Sequence, residues 1–351
     1  MKSASVISAN FLERIGEPGS RFHSDYLAYR NGQITRTELI ARLPHIAMLG
    51  DSVCMGVYIS SPWSTFLRAR RSRAKNWFLD VDPLPNSIRS VSKRLAEFTP
   101  FVATQYAGVG ALVDHEREHQ NFFRQILGTR NFSGQVSQLL AARRVPDLIL
   151  ISIGHNNVDW AWRSPASELE QPEDRLQQQS QGFRENFARQ MRRLIQRAQT
   201  ERHRVAIVVH GLVNFELYFK AREVAERLRE QDMTLYPHLE TTYKYFTSFR
   251  PAYRRNLIRL ACMINDGLRA MMSDLNRKFE TMSSLQLRYS DALATADLSR
   301  VELLHAVDGW HPSTEGHNVL AEAAFRGLAP SLEFLGIGRA APKERRFSTA
   351  D

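Results

Sequence analysis

The chain has 351 residues, 43% hydrophobic and 24% charged, and 47 Lys and Arg against 37 Asp and Glu give it a formal charge of +10. This composition excludes disordered and collagen-like chains and is sufficient for a sizeable core. No run approaches the roughly 20 apolar residues of a membrane-spanning helix. Met1 to Arg30 also lacks the apolar region of a secretory signal, so a cytoplasmic protein is expected. The two cysteines, Cys54 and Cys262, lie far apart, support no disulfide framework or Cys-based zinc site, and read as small core fillers. The basic excess is mostly Arg with interleaved Glu, the pattern of solvated helix faces, so no nucleic-acid partner is expected.

In chain order, Phe11 to Arg42 reads as short helices outside any sheet. Arg30-Asn31-Gly32-Gln33-Ile34 and Glu38 fit half of a calcium loop, but Leu27 and Tyr29 stand where its carboxylates belong. A helix–turn–helix with a Thr35-x-x-Glu38 capping box is the reading adopted. After Pro44, five runs carry the sheet signal: His45 to Leu49, Phe101 to Tyr106, Asp147 to Ile153, Val205 to Val209, and a weaker one from Leu285 to Tyr289. Near-continuous apolar runs are expected of strands buried on both faces. Between them, Ser87 to Phe98, Gln181 to Ala198 and Leu257 to Phe279 have helical spacing. Alternating strands and helices predict a parallel sheet covered on both faces, with ligands beyond the carboxyl ends of its strands. The stretch from Gly338 to Asp351 is small, charged and poor in apolar residues, as in a mobile tail.

The polar residues after these runs form a chemically coherent set. Ser52 follows the first, Gly110 the second and Asn156 the third, and Asp308-Gly309-Trp310-His311 lies beyond the fifth. A serine hydroxyl is a weak nucleophile near neutral pH and needs a base within reach and a third group to fix that base's tautomer. His311 suits the base and Asp308, three residues earlier, the orienting carboxylate. An acyl-transfer intermediate also carries a negative oxygen. The backbone N–H groups of Ser52 and Gly110 and the Asn156 amide are candidates to hold it. Taken singly, each residue has a plainer reading: Ser52 as a helix cap, Asp308 and Asn156 as turn residues, His311 as a loop histidine and the glycines as turns. Their joint occurrence at strand ends in a working order favours catalysis.

Four blocks occur in order: Gly50-Asp51-Ser52, Gln105-Tyr106-Ala107-Gly108-Val109-Gly110-Ala111, Gly154-His155-Asn156-Asn157, and Asp308-Gly309-Trp310-His311-Pro312. They resemble those of the SGNH hydrolases, the GDSL esterase/lipase family. Gly108 competes with Gly110, which is chosen because the family pattern places its oxyanion glycine just before a small or polar residue. Gln105 stands where that pattern has Asn, and Asn157 where it has Asp. The resemblance spans Pro44 to about Leu335. It implies a flavodoxin-like three-layer α/β/α sandwich with a central, mainly parallel five-stranded sheet and no metal or organic cofactor. Residues 1–43 then form a helical N-terminal extension, 44–335 the hydrolase domain with helical insertions near 57–86 and 212–284, and 336–351 the tail. The expected activity is serine esterase or lipase, with a preference for lipid or phospholipid esters. The alternatives are a short-chain or carbohydrate acetyl esterase, or an acyltransferase.

Two features point elsewhere. His115-Glu116-Arg117-Glu118-His119 matches H-E-x-x-H, whose histidines share a helix face and could bind zinc, but its surroundings are uniformly polar and no third ligand is evident. Arg68 to Lys75 is strongly basic and flanked by Trp63, Phe66, Trp77 and Phe78. That pattern fits a lid, a packed insertion, or contact with an anionic membrane surface, the last also open to a non-catalytic binding protein. The G-x-S-x-G elbow of the common α/β-hydrolases is absent, since Val53 and Cys54 follow Ser52. Substrate-binding residues are not assigned. Aromatic-rich stretches at 57–86, from Val158 to Trp162 and from Tyr218 to Tyr253 could shape a pocket or simply pack the insertions together.

Overall fold

The computed structural model describes residues 4–7, 11–57, 75–80, 87–113, 131–160, 172–237, 239 and 251–337. Five strands arise from the five apolar runs: β2 (His45–Gly50), β3 (Val102–Gln105), β4 (Leu148–Ser152), β5 (Val205–His210) and β6 (Leu285–Ser290). They pair in parallel in the order β3-β2-β4-β5-β6. This is the flavodoxin-like order, and the chain reverses its direction of travel across the sheet between β2 and β4. Every residue of β4 and β5 is buried, as their unbroken apolar sequences require, whereas β6 at the edge alternates.

A sixth strand, β1 (Ala4–Ile7), pairs antiparallel with β3, Ala4 opposite Gln105 and Ile7 opposite Val102. The N-terminal extension is therefore not helical throughout. Four residues carry too little alternation to signal a strand, and this one exists because β3 would otherwise offer an open edge.

Helices α1 (Phe11–Gly16), α2 (His23–Arg30) and α3 (Arg36–Arg42) follow, and Phe11, Ile15, Phe22, Leu39 and Leu43 form their own small core, with Val102 of β3 against it. The capping box at α3 is made as read: Thr35 Oγ1 accepts from Glu38 N at 3.2 Å and Glu38 Oε2 from Thr35 N at 2.7 Å. The sheet's helices fall into two groups. On one side α5 (Phe132–Leu140), α7 (Glu173–Ala198) and α9 (Pro251–Lys278) pack in succession; on the other α10 (Thr314–Gly327) meets both α4 (Val91–Ala96) and α11 (Ala329–Phe334). Two further helices are α6 (His155–Trp160) and α8 (Phe215–Gln231). In α7, Leu176, Phe183, Phe187, Met191, Leu194 and Ile195 recur at helical spacing on the buried face. No helix among the described residues is long and apolar enough to cross a membrane.

Trp77 and Phe78, for which a lid, a packed insertion or an anionic surface stood open, are fully buried in the main core, as in a packed insertion. Tyr218, Phe219 and Tyr253 are buried there too, so these aromatics pack the insertions together. Cys54 fills the core as expected, but Cys262 is exposed on α9. The tail beyond Ile337 lies outside the described residues.

Leu39 is fully buried in the small core that fastens α1–α3 to the sheet edge. Leu39→Ala is expected to lower unfolding free energy by about 2–5 kcal/mol in urea titrations, the cost of lost transfer plus a cavity. A change under roughly 0.5 kcal/mol would show that this core contributes no cooperative stability.

Candidate active site

The site begins where β2 stops. Gly50 lies so close to β4 that a Cβ there would sit 2.5 Å from the carbonyl oxygen of Ser152. Gln135 of α5 grips it from the other side: Oε1 accepts from Gly50 N at 2.9 Å and Nε2 donates to Gly50 O at 2.8 Å. The next residue, Asp51, is fully buried and accepts four hydrogen bonds. Val53 N reaches Oδ1 at 3.1 Å; Gly154 N and His155 N, both at 3.0 Å, and His155 Nδ1, at 2.9 Å, reach Oδ2. Val213 N donates to His155 Nε2 at 3.3 Å. A backbone N–H can only donate, so His155 Nε2 is the acceptor and its Nδ1 carries the proton toward Asp51. Ends of β2, β4 and β5 are thus tied through one carboxylate and one imidazole. Ser52 opens the short helical turn Ser52–Cys54 that follows and is 5% exposed. Burial, with Asp51 nearby, pushes the Cys54 thiol well up from its ordinary value, and it donates to Ser152 O at 3.1 Å.

The segment after β3 is held against the same turn. Gln105, fully buried, donates from Nε2 to Cys54 O at 2.6 Å. Gly108 N donates to Gly50 O at 3.1 Å, so that N–H is already engaged. Gly110 has φ of +70°, the left-handed conformation that favours glycine. Asn156, second residue of α6, donates from Nδ2 to Ala111 O at 3.2 Å, which sets its amide beside the Gly110–Ala111 turn. Its neighbour Asn157 accepts from Val113 N at 3.0 Å.

The turn from His305 to His311 brings the remaining pair together. His305 N donates to His311 O at 2.7 Å and Gly309 N to His305 O at 2.8 Å. Gly309 supplies the positive φ, +56°, that the reversal needs. Asp308 Oδ1 accepts from Trp310 N at 3.0 Å and His311 N at 3.1 Å, leaving Oδ2 to accept from His311 Nδ1 at 2.6 Å. Burial raises the Asp308 carboxyl, but the charge and hydrogen bond of His311 and the Trp310 N–H outweigh it and hold it below the usual carboxylate range. With an ionised acceptor at Nδ1, the basic nitrogen of His311 is Nε2. Rings connect this turn to Asp51: Phe215 lies 6.1 Å from His155 and stacks on Trp310 at 5.8 Å. Asp308 and His311 are therefore joined, and Asn156 adjoins the Gly110 turn. Among the described residues Ser52 Oγ has no hydrogen bond, to His311 or otherwise.

The GDSL-like lipase/acylhydrolase family model matches residues 46–324, most of the chain. The chain belongs to that family. Its members hydrolyse esters, and this protein is an ester-hydrolysing enzyme. Similar solved structures include a lipase, Lip_vut3, from a goat rumen metagenome, 13% identical over 84% of this chain and 99% of that one with a TM-score of 0.43. A second, described as a putative SGNH hydrolase of Slackia heliotrinireducens, is 13% identical over 82% of this chain and 100% of its own, with a TM-score of 0.32. No curated protein matches.

Two contributors to this candidate site were not found from sequence: Gln135, a mid-helix residue with no local signal, and His155, whose only cue was its place inside the third block. His115 and His119 lie outside the described residues, as do Arg68 to Ala74. Lys75 is described, and its backbone forms an isolated antiparallel β-bridge with that of Asp80. No cluster of three or more metal-binding side chains occurs among the described residues.

Two further histidines stand near the site. Trp77 N donates to His317 Nδ1 at 3.3 Å, and His210, at the end of β5, meets the Trp77 ring edge-on at 5.8 Å. Burial lowers His210 to about 4; burial, with His311 and His305 nearby, lowers His317 to about 3. An unfolded histidine titrates near 6.5, so between that value and these the unfolded chain binds more protons and stability falls as pH drops. His210→Leu is expected to flatten the decline of Tm between about pH 7 and pH 4.5. His210 alone contributes roughly 2–3 kcal/mol to that decline. Equal slopes in the variant and the parent would refute a buried neutral His210.

Proposed function

We propose that Ser52, His311 and Asp308 form a nucleophile–base–orienter triad, and that the N–H groups of Ser52 and Gly110 with the Asn156 amide form the oxyanion hole. The 2.6 Å bond between Asp308 Oδ2 and His311 Nδ1, inside a buried turn, carries this reading. It supplies what a serine nucleophile lacks, a base with a fixed tautomer and its lone pair on Nε2. Ser52 starts a helical turn just beyond the strand reversal, where ligands bind in such sheets. Gly110 is preferred over Gly108 because Gly108 N already serves Gly50 O. The distance from Ser52 to its base shortens in the substrate complex, as catalytic hydrogen bonds commonly do.

In the first step His311 Nε2 takes the Ser52 Oγ proton as Oγ bonds to the ester carbonyl carbon, and the carbonyl electrons move to the oxygen held by the three donors. The intermediate collapses, the C–O bond to the alcohol breaks, and His311 returns its proton to that alcohol. Water then repeats the sequence on the acyl-enzyme, releasing the acid and restoring Ser52; an alcohol in place of water would give acyl transfer. Asp308 remains ionised and stabilises the imidazolium formed in each half.

The geometry supports a carboxylic ester. A lipid or phospholipid ester, with an anionic membrane surface met by Arg68 to Lys75, draws on sequence alone, because Trp77 and Phe78 are core residues.

Ser52→Ala is expected to lower kcat/KM on p-nitrophenyl acetate by at least roughly 10³-fold, and a serine-reactive phosphonate should label Ser52 in the parent. Asn156→Ala should cost about 10²–10³-fold in kcat. Full turnover in Ser52→Ala, or loss of activity to a zinc chelator without phosphonate inhibition, would remove the triad assignment. A series from acetate to long-chain esters and a phospholipid decides the substrate class: rates rising with chain length support the lipid ester, and a maximum at acetate overturns it.

A further inference from the structure

Arg222 lies on α8, two turns beyond the Asn214 cap that accepts from Glu216 N and Leu217 N. Its neighbours on one helix face, Tyr218, Phe219, Ala221 and Ala225, are apolar or aromatic and buried, and Arg222 is buried with them at 0% exposure. A guanidinium in such a place is costly, several kcal/mol per ion before its partners are counted. Those partners are specific. Nη1 donates to the carbonyl oxygens of Asp308 and Gly309, both at 3.1 Å, and Nη2 to that of Leu239 at 3.0 Å. Nε reaches Glu226 Oε1 at 3.5 Å, and Glu226 in turn pairs with Arg254.

From these contacts we infer that Arg222 is the positioning residue of the Asp308–His311 turn: it holds the carbonyls of Asp308 and Gly309, and through the turn the Asp308 carboxylate and the His311 imidazole of the proposed active site. This inference rests on the triad reading for its catalytic consequence, though not for its structural one. Asp308 fixes the front of the turn by accepting from Trp310 N and His311 N. The two carbonyls on the back would be buried acceptors without Arg222, each costing about 1–3 kcal/mol. With it, successive carbonyls are gripped by one nitrogen of a rigid plane, and the direction in which His311 leaves the turn is set.

The same helix fixes what covers the turn. A Cβ on Gly309 would meet Leu239 at 3.2 Å, and Leu239 is held through its own carbonyl by Arg222. Seven residues further along the same face, Arg229 donates to the carbonyls of Leu235 at 3.1 Å and Tyr236 at 2.7 Å. Tyr236 has φ of +48°, a conformation a tyrosine adopts only when its surroundings impose it. Two arginines of α8 thus hold the covering arm, and one of them also holds the turn. Lysine, a point donor on a flexible stem, keeps the charge but cannot reproduce the fork.

Arg222→Lys separates geometry from charge. The Nδ1 protons of His311 and His155, each held by a buried carboxylate, should give downfield proton NMR signals, assigned by loss of the first in His311→Asn. In Arg222→Lys the His311 signal is expected to shift or vanish while the His155 signal, tied to Asp51 elsewhere, stays and reports an intact fold. On p-nitrophenyl acetate kcat should fall roughly 10- to 100-fold with KM within about twofold, as for misplacement of a reacting group. A variant with both signals and kcat unchanged overturns the inference. If the parent shows no esterase activity, the triad reading fails and the NMR comparison still decides the role of Arg222. If the variant does not fold, native-state hydrogen exchange on the parent decides. The Trp310 and His311 amides should open together with the α8 amides around Arg222, and a turn that opens while α8 stays protected overturns the inference.

Discussion

Four N–H groups converge on the carboxylate of Asp51, and the arrangement at the end of the sheet depends on that convergence. Parallel strands leave their last carbonyls and amides without ladder partners, and at a strand reversal two such ends lie side by side with nothing between them. Asp51 fills that gap. Hydrogen bonds to a charged acceptor contribute about 1.5–3 kcal/mol each, so a set of this kind offsets the burial of one negative charge. Because two of its donors belong to Gly154 and His155, the residue before Ser52 and the residue before Asn156 are fixed relative to each other. Gln135 completes the constraint. The β3 ladder stops at Gln105 opposite Met48; beyond it Gly108 N still donates to Gly50 O, and the side-chain amide of Gln135 supplies the acceptor that Gly50 N would otherwise lack, with a second donor to Gly50 O.

A second carboxylate, Asp308, repeats the device at the other end of the chain. Each carboxylate accepts from backbone N–H groups, Asp308 from its own turn and Asp51 from its own turn and the end of β4, and from one histidine Nδ1; among the described residues neither pairs with a Lys or Arg side chain. The two histidines differ in what meets the far nitrogen. His155 Nε2 takes a backbone N–H of the β5 segment and is locked as a structural acceptor. His311 sits on a loop at the strand ends, where a substrate would be bound. One chemical motif thus serves as a brace in one place and, in the proposed mechanism, as an oriented base in the other, and position in the fold decides which.

Legibility from sequence follows the range of the signal. The five parallel strands could be read because burial on both faces leaves an unbroken apolar run, and the Thr35–Glu38 box because capping is local. The Asp308–His311 pair was legible for the same reason, lying three residues apart on one turn. Hidden features are those that depend on distant partners: β1, whose four residues become a strand only beside β3, and Gln135, one amide in an amphipathic helix. Arg222 and Glu226 carry no local signal of burial, yet both are buried, because acceptors for the arginine come from residues 239, 308 and 309. Trp77 and Phe78 were ambiguous for the same reason: basic neighbours fit a lid, a surface or a packed insertion alike, and only partners distant in sequence, such as His210, draw the side chains into the core.

The two departures from the family pattern have a common physical sense. Gln105 is one methylene longer than Asn, and that length carries its amide to Cys54 O across the turn that begins at Ser52. Asn157 keeps an acceptor for Val113 N where the pattern has a carboxylate. An amide carbonyl meets that N–H without bringing a negative charge next to Asn156. In the proposed site Asn156 must stabilise an oxygen that becomes negative only in the transition state, and a neighbouring carboxylate in a low-dielectric interior opposes that charge. Substitution of Asp by Asn therefore conserves the brace and removes a repulsion, so the bond to Val113 can persist unchanged while charge develops one residue away.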